Sequence, residues 1–235
     1  MKYIWAAATH KGKVRDNNED SLYPETSGES EGPAVLMVAD GMGGHVAGEV
    51  ASRLAVNAAA SSNLSPGDRV AAANRAIREE VARQTELDGM GTTLTLVELK
   101  PNSTAEFGHV GDTRAYIYKD GELVQLTDDH TVAAEYVAMG KITPEEAINH
   151  PQSHMLTRCL GLTRFVNVDE IALDLEPGDR LLLCSDGLNS MIGDDIIAKA
   201  LAIESADEAA WRLIDEANEA GGIDNITVIV IDVQP

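Results

Sequence analysis

Nine short apolar runs, rich in β-branched residues and bounded by turn formers, set the first limit on how this chain can fold. They cover Tyr3 to Ala8, Ala34 to Ala39, Thr92 to Leu99, Ala105 to Val110, Ala115 to Tyr118, Leu123 to Leu126, Val168 to Ala172, Arg180 to Cys184 and Ile226 to Val233. Between them, apolar residues at helical spacing mark two pairs of helices. Ala47 to Ser61 and Pro66 to Leu87 form the first pair, the latter carrying Val70, Ala73, Ile77 and Val81; Asp194 to Leu201 and Ala206 to Ala220 form the second. Asp194 and Asp207 fall in first turns, where a carboxylate meets the positive end of the helix dipole. Strands that come in blocks lack the regular alternation of a doubly wound parallel sheet. The order predicts an α+β fold, with antiparallel sheets covered by helices.

Lys119-Asp120-Gly121-Glu122 joins two alternating runs and reads as a hairpin turn. The stretch 127–164 differs from both strand blocks. Asp128-Asp129-His130 opens it, two short helical patterns follow, and His150-Pro151 interrupts it before Met155-Leu156-Thr157-Arg158. It is expected to form an inserted flap over an active site, the alternative being a surface segment without a chemical role. No Pro-, Ser- or Gly-rich linker divides the 235 residues, so the expectation is a single domain over 1–235.

A formal charge of -21 and the lack of any basic run argue against a nucleic-acid binder, whose affinity rests on clustered Lys and Arg. Met1 to Ala8 is apolar but soon meets His10, Lys11 and Lys13, so it reads as a first strand and not as a secretory signal. No stretch approaches the length of a membrane span. Cys159 and Cys184 form no metal-ligand spacing, and Cys184, inside an apolar run, is expected to be a buried thiol. A cytoplasmic monomer with no nucleic-acid or membrane partner is the expectation.

Four acidic clusters, Asn18-Glu19-Asp20, Asp40-Gly41, Ser185-Asp186-Gly187 and Asp224-Asn225, lie at ends of apolar runs. Asp40 closes Ala34 to Ala39, Asp186 closes Leu181 to Ser185, and Asp224 precedes Ile226 to Ile231. In an antiparallel sheet the start of one strand lies beside the end of its neighbour, so these aspartates can share one edge. Carboxylates brought together raise each other's pKa unless cations neutralise them. With only oxygen donors on offer, Mg²⁺ or Mn²⁺ suits such a site better than Zn²⁺. Two such ions can share a water and clamp the attacking and leaving oxygens of a phosphoryl group. Arg15 stands five residues before Asp20 and could grip phosphate oxygens with its planar guanidinium, although alone it would read as a surface residue.

Six stretches, taken in order, resemble the motifs of the metal-dependent serine/threonine protein phosphatases of type 2C in their short bacterial form. They are Gly12-Lys13-Val14-Arg15-Asp16-Asn17-Asn18-Glu19-Asp20; Val38-Ala39-Asp40-Gly41-Met42-Gly43-Gly44-His45-Val46-Ala47-Gly48-Glu49; Gly91-Thr92-Thr93; His109-Val110-Gly111-Asp112-Thr113-Arg114; Ser185-Asp186-Gly187-Leu188; and Gly221-Gly222-Ile223-Asp224-Asn225-Ile226-Thr227. The resemblance runs from about Thr9 to Val233. It implies a four-layer αββα sandwich and a binuclear Mn²⁺ or Mg²⁺ centre. On the matching positions Asp20, Asp40, the carbonyl of Gly41, Asp186 and Asp224 would be direct or water-mediated ligands. Glu19 would orient a metal-bound water and Arg15 would bind the substrate phosphate. The implied reaction is hydrolysis of phosphoserine or phosphothreonine on kinase-modified proteins, by direct attack of a water bridging the two metals. The alternative is a metal-bound module that recognises a phosphoprotein without hydrolysing it; loss of the core aspartates would announce it, and none is missing.

His45 is the candidate general acid for the departing alkoxide, since imidazole titrates near neutral pH; its alternative is a polar residue near a helix start. In animal relatives the acid histidine directly follows the Asp-Gly pair, where this chain has Met42. His109 reads as structural. His130, His150 and His154 lie in the expected flap, and His10 reads as exposed. Many members place an aspartate at position 190, where it helps Asp112 hold a third metal; this chain has Ser190, so the third ion is expected to be weak or absent. Neither cysteine starts a Cys-x5-Arg phosphate loop, which excludes a thiol nucleophile of that kind.

Overall fold

The computed structural model of the chain describes residues 1–43 and 47–235. The first block holds β1 (Lys2–His10), β2 (Asp20–Tyr23), β3 (Gly28–Ser30) and β4 (Ala34–Met42), followed by α1 (Ala47–Ala60) and α2 (Pro66–Arg83). Next come β5 (Gly91–Thr92), β6 (Leu94–Leu99), β7 (Thr104–Val110), β8 (Arg114–Lys119) and β9 (Glu122–Gln125), then α3 (Val132–Ala138) and α4 (Pro144–Ile148). After β10 (Asp169–Asp174) and β11 (Arg180–Cys184) the chain forms α5 (Asp186–Asn189), α6 (Asp194–Leu201), α7 (Ala206–Glu219) and β12 (Ile226–Gln234).

The strands make two antiparallel sheets. One runs β3-β1-β12-β11-β8-β9, and the other β10-β7-β6-β4-β2 with β5 paired to the end of β4. The core strands are buried on both faces, which is why they read as continuous apolar runs. Alternation still sorts their side chains. In β12, Val228 and Val230 meet Ile197, Leu213 and Ile214 of the α6–α7 pair, whereas Ile229 and Ile231 face the other sheet. In β4, Met37 and Ala39 meet Ala51, Ala55, Val70 and Ile77 of the α1–α2 pair, whereas Leu36 and Val38 turn inward. Three apolar layers therefore lie between four structural layers, an αββα sandwich, and each fully buried Leu or Ile contributes roughly 1.5–3 kcal/mol.

The expected elements are present, with four differences. The helix expected over 66–87 ends at Arg83, and a 3-10 turn follows at Thr85–Leu87. The edge strands β2 and β3 are only four and three residues long, so neither carries an apolar run. Thr93 breaks the expected strand from Thr92 to Leu99: its N–H donates to the Asp40 carbonyl at 2.9 Å, and its hydroxyl accepts the Asp40 N–H at 2.9 Å. A one-turn helix, α5, starts at Asp186 itself. The Asp120-Gly121 turn has positive φ at both residues, 52° and 85°, as the tight hairpin between β8 and β9 requires.

The 127–164 stretch contains α3 and α4, whose N-termini are capped by Thr131 and Thr143. Its two ends are tied together: Thr157 N–H donates to the His130 carbonyl and Val132 N–H to that of Met155. Among the described residues no helix is long and apolar enough to cross a membrane.

Candidate metal centre

β2 and β4 pair in a register that sets Asp20 directly opposite Asp40. β11 and β12 run antiparallel in the other sheet, so Asp186 at the end of one and Asp224 at the start of the other arrive at the same end of the sandwich. Close backbone contact makes this convergence possible. A Cβ on Gly187 would lie 2.0 Å from the carbonyl oxygen of Asn225, and one on Gly41 would lie 2.1 Å from that of Gly48. Only glycine fits at either point.

Electrostatics at the site follow from crowding acids together. Burial pushes the Asp20 carboxyl up to about 7; a hydrogen bond from the Ser185 hydroxyl at 2.7 Å opposes this, while Asp186 and Asp224 add to it. Asp40 is raised well above the carboxylate range, first by burial and then by Asp20, Asp186 and Asp112. Asp112 is pushed up to about 8 by burial and by Asp186. One cation and one imidazole face this charge. Arg15 Nη2 lies 2.6 Å from Asp224 Oδ2, and His154 Nδ1 lies 3.6 Å from Asp186 Oδ2. Burial raises the Glu19 carboxyl too, against the pull of Arg15.

Asn225 organises the loop that carries Arg15 and Glu19. Its amide donates to the carbonyls of Lys11 and Asn17 and accepts the N–H of Glu19 at 2.8 Å. Ser52 of α1 donates to the Glu19 carbonyl, which also receives the Gly41 N–H. Reading the sequence assigned no role to Asn225, Ser185 or Thr93, although all three stand inside the quoted motifs. Ser52 lies in a helical pattern with no signal of its own, and His154 gains its place near Asp186 only through the fold.

Asp20, Asp40, Gly41, Asp186 and Asp224 are thus brought together, with Arg15 and Glu19 on the adjoining loop. Asp112 joins from the β7–β8 turn, and with Asp186 and His154 it lines a cavity of about 1100 Å³ between the 127–164 stretch and α5–α6. His45 lies outside the described residues. The Ser190 hydroxyl donates to the Asp186 carbonyl.

Do these residues suit divalent cations? Among the described residues no three His, Cys, Asp or Glu side chains are arranged to hold a metal ion as they stand, and Arg15 and His154 lie against two of the carboxylates. The donor set fits nevertheless. Asp20 Oδ1 is buried with no hydrogen-bond partner among the described residues, and Asp20, Asp112 and Asp186 each raise the Asp40 carboxyl further. Hard oxygen donors of this kind favour Mg²⁺ or Mn²⁺.

The family model of protein phosphatase 2C matches residues 9–218. The chain belongs to the protein phosphatase 2C family. It is similar to the serine/threonine protein phosphatase PstP of Mycobacterium tuberculosis strain H37Rv, 43% identical over 238 residues. That alignment covers 97% of this chain and 45% of the relative, so the chain spans about half the relative's length. The serine/threonine phosphatase stp of Listeria monocytogenes EGD-e is 34% identical, with 95% of this chain and 93% of that protein covered. Among solved structures, M. tuberculosis PstP/Ppp superposes with a TM-score of 0.91 at 41% identity over 100% of both chains. The PstP catalytic domain in complex with 2 manganese ions gives 0.88 at 40% identity, again over 100% of both chains. The Cys184 thiol is fully buried and pushed up to about 12, so it has no nucleophilic role at neutral pH.

Proposed function

We propose that this protein phosphatase 2C member hydrolyses phosphoserine and phosphothreonine monoesters on proteins. One observation carries the reading: four aspartates from separate segments meet around an unpartnered buried oxygen of Asp20, beside an arginine able to bind phosphate. The side chains of Asp20, Asp40, Asp186 and Asp224 and the carbonyl of Gly41 would hold two Mn²⁺ or Mg²⁺ ions, with Asp112 at the margin. Such a pair would neutralise the carboxylates and supply an activated water at neutral pH.

The chain's own residues supply the rest. Arg15 exchanges its contact with Asp224 for the phosphate and holds it in line. Glu19, held by Asn225 and Ser52 through its backbone, orients the attacking water. The water oxygen forms a bond to phosphorus and releases one proton to solvent as the bond to the Ser or Thr oxygen breaks; that oxygen takes a proton from His45, a role assigned from sequence alone, and solvent reprotonates the imidazole. The 127–164 stretch acts as a flap beside the site, within one phosphatase domain over 1–235. Substrates are targets of a Ser/Thr kinase, and the protein acts as a cytoplasmic monomer. A non-catalytic recognition module would not need the complete set of acids.

The test is Mn²⁺-dependent turnover of a small aryl phosphate and of a phosphothreonine peptide. Asp40→Asn should drop both to background, while Arg15→Ala should raise KM about 10–100-fold, the value of one charge-assisted contact to phosphate. Normal turnover by Asp40→Asn would overturn the reading.

A further inference from the structure

His130 is buried at the root of the 127–164 stretch, and all of its polar groups are engaged by three other segments. Its backbone N–H donates to the Gly111 carbonyl at 2.8 Å, and its ring Nδ1 accepts the Gly111 N–H at 3.0 Å. Its own carbonyl accepts the Thr157 N–H at 2.8 Å. Its Nε2 lies 3.0 Å from Asp169 Oδ2 on β10. A backbone N–H can only donate, so Nδ1 carries the lone pair, the proton sits on Nε2, and the ring donates to Asp169. Arg158 Nη1, 3.1 Å from Nε2, is a second donor beside it and binds the other oxygen of Asp169 at 2.7 Å.

Gly111 has no slack on its other side. Its φ is +116°, and a Cβ there would lie 2.4 Å from Cβ of Thr93, the residue that also binds the backbone of Asp40. Gly111 is therefore clasped between Thr93 and His130, and Asp112 follows it directly. We propose that His130 is a positioning residue: it holds Asp112 among the acidic side chains and, through the same ring and Asp169, couples that placement to Arg158 at the far end of the flap. Its consequence for turnover rests on the phosphatase reading, whereas the clasp itself does not.

Two substitutions separate the two halves of the ring. The amide oxygen of His130→Asn can stand in for Nδ1 and keep the Gly111 bond while giving up Asp169. The longer His130→Gln reaches the position of Nε2, keeps Asp169 and gives up Gly111. Hydrogen exchange at the Gly111 amide should speed up about tenfold or more in His130→Gln and stay within about twofold of the parent in His130→Asn. With Mn²⁺ and a small aryl phosphate, kcat should fall about tenfold in His130→Gln with KM nearly unchanged, and His130→Asn should retain it; the phosphothreonine peptide should show a raised KM in His130→Asn. Parent-like exchange at Gly111 in His130→Gln would overturn the proposal. So would equal losses of turnover in both variants that track their urea midpoints, the mark of a purely structural role. A parent chain without Mn²⁺-dependent turnover would sink the phosphatase reading alone, and exchange at Gly111 would still decide for or against the clasp.

Discussion

His109 shows how burial changes the chemistry of a single residue. Its ring is fully buried, Nδ1 lies 2.8 Å from the Thr95 hydroxyl, and Nε2 lies 3.0 Å from the Asp128 carbonyl. Burial, aided by His130, pushes its pKa down to about 4. The unfolded chain takes up the proton near pH 6.5 and the folded chain only near 4, so the ring's contribution is complete above about 6.5 and fades as pH falls toward 4. Compared with His109→Gln in urea unfolding, the wild type should lose up to about 3 kcal/mol of relative stability between pH 7.5 and pH 4. A difference that stays constant across that range would contradict this. Asp40 behaves in the opposite sense: burial first, and then the neighbouring acids, raise its carboxyl. Without metal at pH 7.5, Asp40→Asn should stabilise the fold while abolishing stabilisation by Mn²⁺. Thermal unfolding with and without the ion checks both effects.

Elements converge on the site because their ends can approach closely. Gly187, the second residue of α5, lies against the carbonyl of Asn225, so Gly187→Ala forces two backbones apart. It should cost about 1–3 kcal/mol or more and weaken Mn²⁺ binding, whereas Gly140→Ala, at a glycine with open space around it, should leave Mn²⁺ binding untouched. Calorimetric titration of both variants distinguishes the outcomes. Strands buried on both faces, such as β11 and β12, were legible as apolar runs, and α6 and α7 as periodic patterns. Less legible were β2 and β3. An edge strand buries little, so its composition need not differ from a loop, and Asp20 could be placed in a cluster but not on a strand opposite Asp40.

For the whole molecule, the sandwich places the acids at one end, and a cavity lined by the 127–164 stretch lies beside them. Titration with Mn²⁺ should reveal two tight sites, with any third much weaker, because Ser190 offers a neutral hydroxyl that already donates to the Asp186 carbonyl. At about 100-fold excess over Kd, each tight site should add roughly 2.7 kcal/mol of stability; three equally tight sites would refute the assignment of Ser190. What the sequence by itself determined is whatever depends on near neighbours: helix and strand periods, the tight Asp120-Gly121 turn, the burial of Cys184 and the oxygen-rich donor set. The Arg15 to Asp224 contact, the three bonds of Asn225 and the linkage from His130 to Gly111 and Asp169 were decided only by the tertiary structure. Arg15 and Asp224 stand 209 positions apart. Periodicity reports which face of an element is apolar, but the partner of a polar side chain is chosen by the packing of whole sheets, and no local pattern encodes it.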